Sequence, residues 1–96
     1  MNITSRNGHL LVTGNVKSIE HYQILKNELE GMIETSSSIV IEFVDSMSLT
    51  SSVIGHLVHT VTQKATHIEL RMHNDGLYEL LQDLDLDKIM VLKKIS

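Results

Sequence analysis

From Ser18 onward the apolar residues change their spacing repeatedly, and that alternation constrains the fold more than any other feature of the chain. Ile19, Tyr22, Leu25, Leu29, Met32 and Ile33 follow one another mainly at intervals of three and four, which predicts one face of an amphipathic helix capped by Ser18. Gly31 lies inside this pattern and, at roughly 1 kcal/mol against alanine, predicts fraying from that point. Ile39-Val40-Ile41-Glu42-Phe43-Val44 is apolar at nearly every position, which predicts a central strand covered on both faces. Helical spacing returns at Ile54, Leu57, Val58 and Val61, in a helix expected from about Ser51 to Lys64. His67 to Met72 alternates, as a strand with one buried and one wetter face does. Asn74-Asp75-Gly76 then opens a helix carrying Leu77, Leu80, Leu81 and Leu84, and Ile89 to Leu92 is expected as a last strand with Lys93 and Lys94 as a solvated edge. Ahead of Ser18, His9 to Thr13 reads as a short strand closed by the turn Gly14-Asn15, and Ile3 opens an edge strand around Met1 to Ser5.

Strand and helix taken in turn require parallel pairing with right-handed crossovers, while the short turn joining the first two strands makes that pair antiparallel. The fold class expected is α/β, a mixed sheet of roughly four to five strands with about three flanking helices. At 96 residues the chain is one domain, 1–96, because a second core could not be built from the remainder.

Composition narrows the function classes. There is no cysteine, so neither disulfides nor thiolate metal sites arise. A net charge of −4, with one Phe, two Tyr and no Trp, argues against a nucleic-acid footprint or base-stacking platform. Met1 to Arg6 lacks the order of a secretory signal, and no apolar run reaches the roughly 18 residues of a membrane span, so no membrane insertion is expected and the location expected is cytoplasmic. Protein partners are what remain.

Between the third strand and the next helix lies the stretch Asp45-Ser46-Met47-Ser48-Leu49-Thr50-Ser51-Ser52. A hydroxyl-rich loop entering a helix can cap unpaired N–H groups, and the same place favours an added anion. Capping alone is the plainer reading of Ser51 and Ser52, and Thr50 is a cap before it is anything else. Asp45-Ser46 offers a second register, but it would start the helix about five residues early, in Met47-Ser48-Leu49, where no helical period exists.

The element order and these motifs resemble the STAS domain, the fold of the anti-sigma factor antagonists. In that family an apolar strand ends near an acidic residue, here Asp45, and a loop leads into Asp-Ser-Ser/Thr-Gly-Leu-Gly, where this chain reads Thr50-Ser51-Ser52-Val53-Ile54-Gly55. Thr13-Gly14 and the run Leu80-Leu81, Leu86, Ile89 also fall where the family has related residues. Thr50 and Val53 replace the motif's aspartate and first glycine. The resemblance implies a bacterial regulatory module that switches partners, with Ser51 accepting phosphate and Ser52 as second choice. It implies a serine kinase of the anti-sigma type and a phosphatase as partners, and no cofactor. Partner contacts are expected from Ser46, Ser48, Thr50, Ser51 and Ser52 in the loop, and from Val53, Gly55, His56 and His59 on the helix. The alternative is a STAS subunit without phosphorylation in a larger assembly, such as a lipid-transport ATPase complex.

Other chemistries have weaker patterns. His56 and His59 share a helical face without a third ligand at defined spacing, so no metal site is expected, and solvent-facing positions explain both. A serine hydrolase would need a nucleophile elbow that the sequence lacks, so no enzyme is expected. A phosphate-binding glycine loop is also missing, which makes the chain a phosphoryl acceptor and not a donor. Asp83, Asp85 and Asp87 lack the glycine and distal glutamate of a calcium loop.

Overall fold

Asn7 and Gly8 both adopt positive φ, 48° and 79°, the backbone of a two-residue hairpin turn. That turn folds β1 (Asn2–Arg6) antiparallel onto β2 (His9–Thr13). In the computed structural model, which describes residues 1–95, the chain continues as α1 (Ile19–Ile33), β3 (Ser38–Phe43), α2 (Ser51–Gln63), β4 (His67–Met72), α3 (Asp75–Asp83), a 3-10 turn (Leu86–Lys88) and β5 (Val91–Lys94). Ser96, the last residue of the span read from the sequence, lies outside the described residues. The strands form one five-stranded sheet in the order β1-β2-β3-β4-β5, and every pair after the first is parallel. The architecture is therefore α/β with a mixed sheet and three helices, as the periodicity predicts.

Each helix begins on a side-chain cap. Ser18 Oγ accepts the His21 N–H at 3.1 Å, Thr50 Oγ1 the Val53 N–H at 3.3 Å, and Asn74 Oδ1 the Leu77 N–H at 2.9 Å. These bonds satisfy N–H groups that have no intrahelical acceptor, each worth about 1 kcal/mol. Among the described residues no helix is long and apolar enough to cross a membrane.

Alternate residues of the central strands, Leu10, Val12, Ile41, Phe43, Leu70 and Met72, are buried against Leu25, Leu29, Leu57, Leu77 and Leu81 of the helices. Their neighbours Val40, Glu42, Glu69 and Arg71 are only half-buried. The third strand is thus covered on one face and not on two, contrary to the expectation from its composition. The strand order explains the difference, because it advances in one direction across the sheet. Crossovers of one hand then place every helix on the same face, and covering both faces would need the order to reverse. On the open face Glu42 Oε2 lies 2.9 Å from His73 Nε2, and its other oxygen 3.7 Å from His9 Nε2. Nearby, Arg71 Nε donates to Glu69 Oε2 and Lys93 Nζ lies 3.6 Å from Glu69 Oε1. The bond from Arg71, opposed by burial, holds the Glu69 carboxyl below its usual range.

Several local expectations are corrected. Helix α1 runs through Gly31 to Ile33, because Met32 and Ile33 pack against the core and outweigh the glycine's intrinsic cost. Ile19, counted on the apolar face, is 80% exposed at the first helical position. In α3 only Leu77 and Leu81 are buried, while Leu80 and Leu84 point outward. The last strand starts at Val91, not Ile89, because Asp85 turns with φ 61° and the Met90 N–H is held by Leu86 O at 3.0 Å. Lys93 and Lys94 belong to that strand, and Lys94 Nζ sits 3.1 Å from Asp75 Oδ1.

Candidate functional site

The loop that leads into α2 is fastened before it reaches its hydroxyls. Val44 keeps a sheet bond, its N–H donating to Val12 O at 3.0 Å, and the chain then turns along the β2–α1 connection. Asp45 Oδ1 accepts the Gly14 N–H, Ser46 Oγ donates to Gly14 O at 2.9 Å, and the Met47 N–H donates to Asn15 Oδ1 at 2.8 Å. Both polar groups of Gly14 are therefore satisfied by the neighbouring loop. Gly14 has φ 81°, and a Cβ there would lie 3.1 Å from Met1 Cα, so the position admits little besides glycine. Leu49, buried in the core, anchors the other end of the loop.

Thr50 is the N-cap of α2, with extended backbone at φ −73° and ψ 158°. Its hydroxyl is engaged by Val53, which leaves Ser51 and Ser52 as the first two helical residues, both exposed and with side chains that make no hydrogen bond among the described residues. The helix N-terminus supplies unpaired N–H groups and the positive end of the macrodipole. Glu20 and Asp75 stand in the first turns of α1 and α3, whereas α2 has no acidic side chain there. The end of α2 thus combines free hydroxyls with a positive field that no carboxylate of its own first turn offsets.

The residues expected to meet a partner separate into groups. Ser48, Ser51 and Ser52 are exposed on the loop and first turn, and Gly55 and His59 continue the exposed face of α2 at helical spacing from Ser52. Thr50 is half-buried and serves as the cap. Ser46 and Val53 are buried, so their side chains serve the fold and not a partner's surface. No contact lies within 4 Å of a Cβ built on Gly55, so this fold does not require glycine there.

His56 is not solvent-facing, as its spacing had suggested, but turns into the seam between α1 and α2. Its ring meets Tyr22 edge to face, with centroids 6.3 Å apart and planes at 85°. Nε2 is buried with no hydrogen-bond partner among the described residues. Burial pushes the His56 pKa below its ordinary value; Glu30 opposes that shift, and Lys26 and His59 add to it. His59 lies at the rim of the cleft beside this seam, facing Lys26, Glu30, Glu34 and Lys64. Among the described residues no three His, Asp or Glu side chains gather as metal ligands.

The sequence pattern puts Ile19 on a buried helix face and gives Met47 no role, yet both are exposed apolar residues at the same end of the sheet as Ser51. Met47 carried a signal, being an apolar residue outside any helical period within a hydroxyl loop. No protein-family model matches the chain, and no curated protein matches it either.

Proposed function

We propose that the chain is a STAS-like regulatory interaction module, binding a serine kinase of the anti-sigma type and released from it when Ser51 is phosphorylated. The observation that carries this reading is the division of labour at the start of α2. Thr50 does the capping, so the Ser51 hydroxyl is exposed and unengaged at a helix N-terminus. A phosphate there would add about −1.5 to −2 charges to a surface otherwise made of neutral hydroxyls. Its cost to the fold is small, because the helix end favours an anion by roughly 0.3 to 1 kcal/mol. Its effect on an acidic partner surface is large, since apposed like charges cost several kcal/mol. The proposed role is binding and not turnover, and Ser52, one residue on, is the second acceptor.

A second reading, a constitutive subunit of a larger assembly such as a lipid-transport ATPase complex, draws on Val53. Its side chain, where the motif has glycine, is buried and pins the first turn of α2 to the core. That leaves less freedom for a kinase to draw Ser51 into its own site. Partner capture from the native cells with Ser51→Ala and Ser51→Asp proteins separates the two. The switch predicts that the alanine protein retains its partner and the aspartate protein loses it, whereas equal capture by both favours the constitutive subunit.

A further inference from the structure

We propose that the outer edge of β1 pairs with the same edge of a second copy of this chain, joining two sheets into one. Gly8 O and Val12 O accept from the N–H groups of Val40 at 2.9 Å and Val44 at 3.0 Å. On β2 the even-numbered residues therefore present their backbone to β3, and the odd-numbered ones, His9, Leu11 and Thr13, present theirs to β1. Their partners across the hairpin are Arg6, Thr4 and Asn2. It follows that Ile3 and Ser5 direct N–H and C=O away from the sheet, where the described chain offers them no strand.

That edge is self-complementary. Two copies laid antiparallel about Thr4 set Ile3 of one opposite Ser5 of the other, so outward-pointing residues meet in hydrogen-bonded pairs. Thr4 meets its own counterpart, and Arg6 falls opposite Asn2, so no like charges are apposed. The other edge of the sheet is defended differently. In β5 Lys93 and Lys94 occupy half of a four-residue strand. Charged side chains, proline and bulges are the usual guards of an edge strand; β1 has a single charge, Arg6 at its end, and neither proline nor bulge, its register with β2 being uninterrupted over all five residues. Edge pairing alone covers less than the roughly 1,200 Å² of a stable interface, so the dimer is weak, with a dissociation constant on the order of 0.1 to 1 mM.

The test is sedimentation equilibrium of the full chain from about 20 μM to about 1 mM, with residue-resolved amide exchange at both ends of that range. The proposal expects the mass to rise toward a dimer at the upper end. It also expects exchange at Ile3 and Ser5 to slow by about two- to fivefold, while Thr4 and Arg6, already bonded to β2, do not change. Ser5→Pro removes an outward N–H without touching the hairpin, and should stay monomeric throughout. A monomer at every concentration would overturn the proposal and leave the edge to a strand of another protein. A dimer without slowing at Ile3 and Ser5, or a folded Ser5→Pro protein that dimerises like the wild type, would overturn it too. Should Ser5→Pro fail to fold, the exchange contrast decides alone.

Discussion

Replacing Thr50 and Ser51 by alanine, one at a time, tests whether the cap of α2 rests on Thr50 and leaves Ser51 without a structural duty. Thr50 Oγ1 accepts the Val53 N–H at 3.3 Å, a long bond for this class. Loss of an N-cap costs about 0.5 to 2 kcal/mol, and the length of this one places Thr50→Ala in the lower half, near 1 kcal/mol. For a chain of 96 residues, the unfolding entropy near the midpoint is about 0.2 kcal/mol/K, so Tm should fall by about 5 °C. With a urea slope of about 1 kcal/mol/M, the midpoint should move down by about 1 M. Ser51 makes no hydrogen bond through its side chain among the described residues and is exposed. Alanine is also the better helix former, so Ser51→Ala should change stability by less than about 0.5 kcal/mol. Urea unfolding of both variants beside the wild type is the assay. A full kcal/mol lost at Ser51 with none lost at Thr50 would refute the assignment and return Ser51 to the role of a cap.

Gly14→Ala combines a left-handed backbone at φ 81° with a Cβ 3.1 Å from Met1 Cα, and should cost about 2 to 3 kcal/mol in urea unfolding. Ser46→Ala removes a buried donor to Gly14 O, and should cost about 1 to 2 kcal/mol by the same measurement. The His56 pKa is lowered from 6.5 by burial, so the unfolded chain takes up that proton first as pH falls. The His56 contribution is therefore complete above pH 6.5 and is lost as pH drops below it toward the folded value. His56→Gln should flatten that part of the stability profile, and the imidazole resonances of His56 should titrate below those of an unfolded reference.

Most of the fold was legible because its period changes are carried by long apolar patterns. Ser18, Thr50 and Asn74 all cap helices where local chemistry places them, since a cap depends on neighbours only three residues away. What sequence could not settle depended on partners distant along the chain. The one-sided cover of β3 follows from the strand order, and only Glu42, a charge within an apolar run, hinted at it. Leu80 and Leu84 have the spacing of a core face, but Leu77 and Leu81 alone suffice for the contact α3 makes. Around the candidate site, the exposure of Ser51 and Ser52 agrees with their polar side chains, while Val53 in the same turn is buried. The structural duties of Asp45 and Ser46 were not legible, because their partner Gly14 lies 31 and 32 residues away. His56 was misplaced for a related reason, as its side of α2 faces Tyr22 of α1.

The central claim is that Ser51 is a regulatory phosphoryl acceptor, and phosphosite mapping with intact-mass analysis of the protein isolated from its own cells tests it most directly. The switch predicts a phosphorylated population with the modification on Ser51. Phosphate confined to Ser52 or Thr50 would contradict the role given to Ser51, and an unmodified protein across growth conditions would contradict the switch itself.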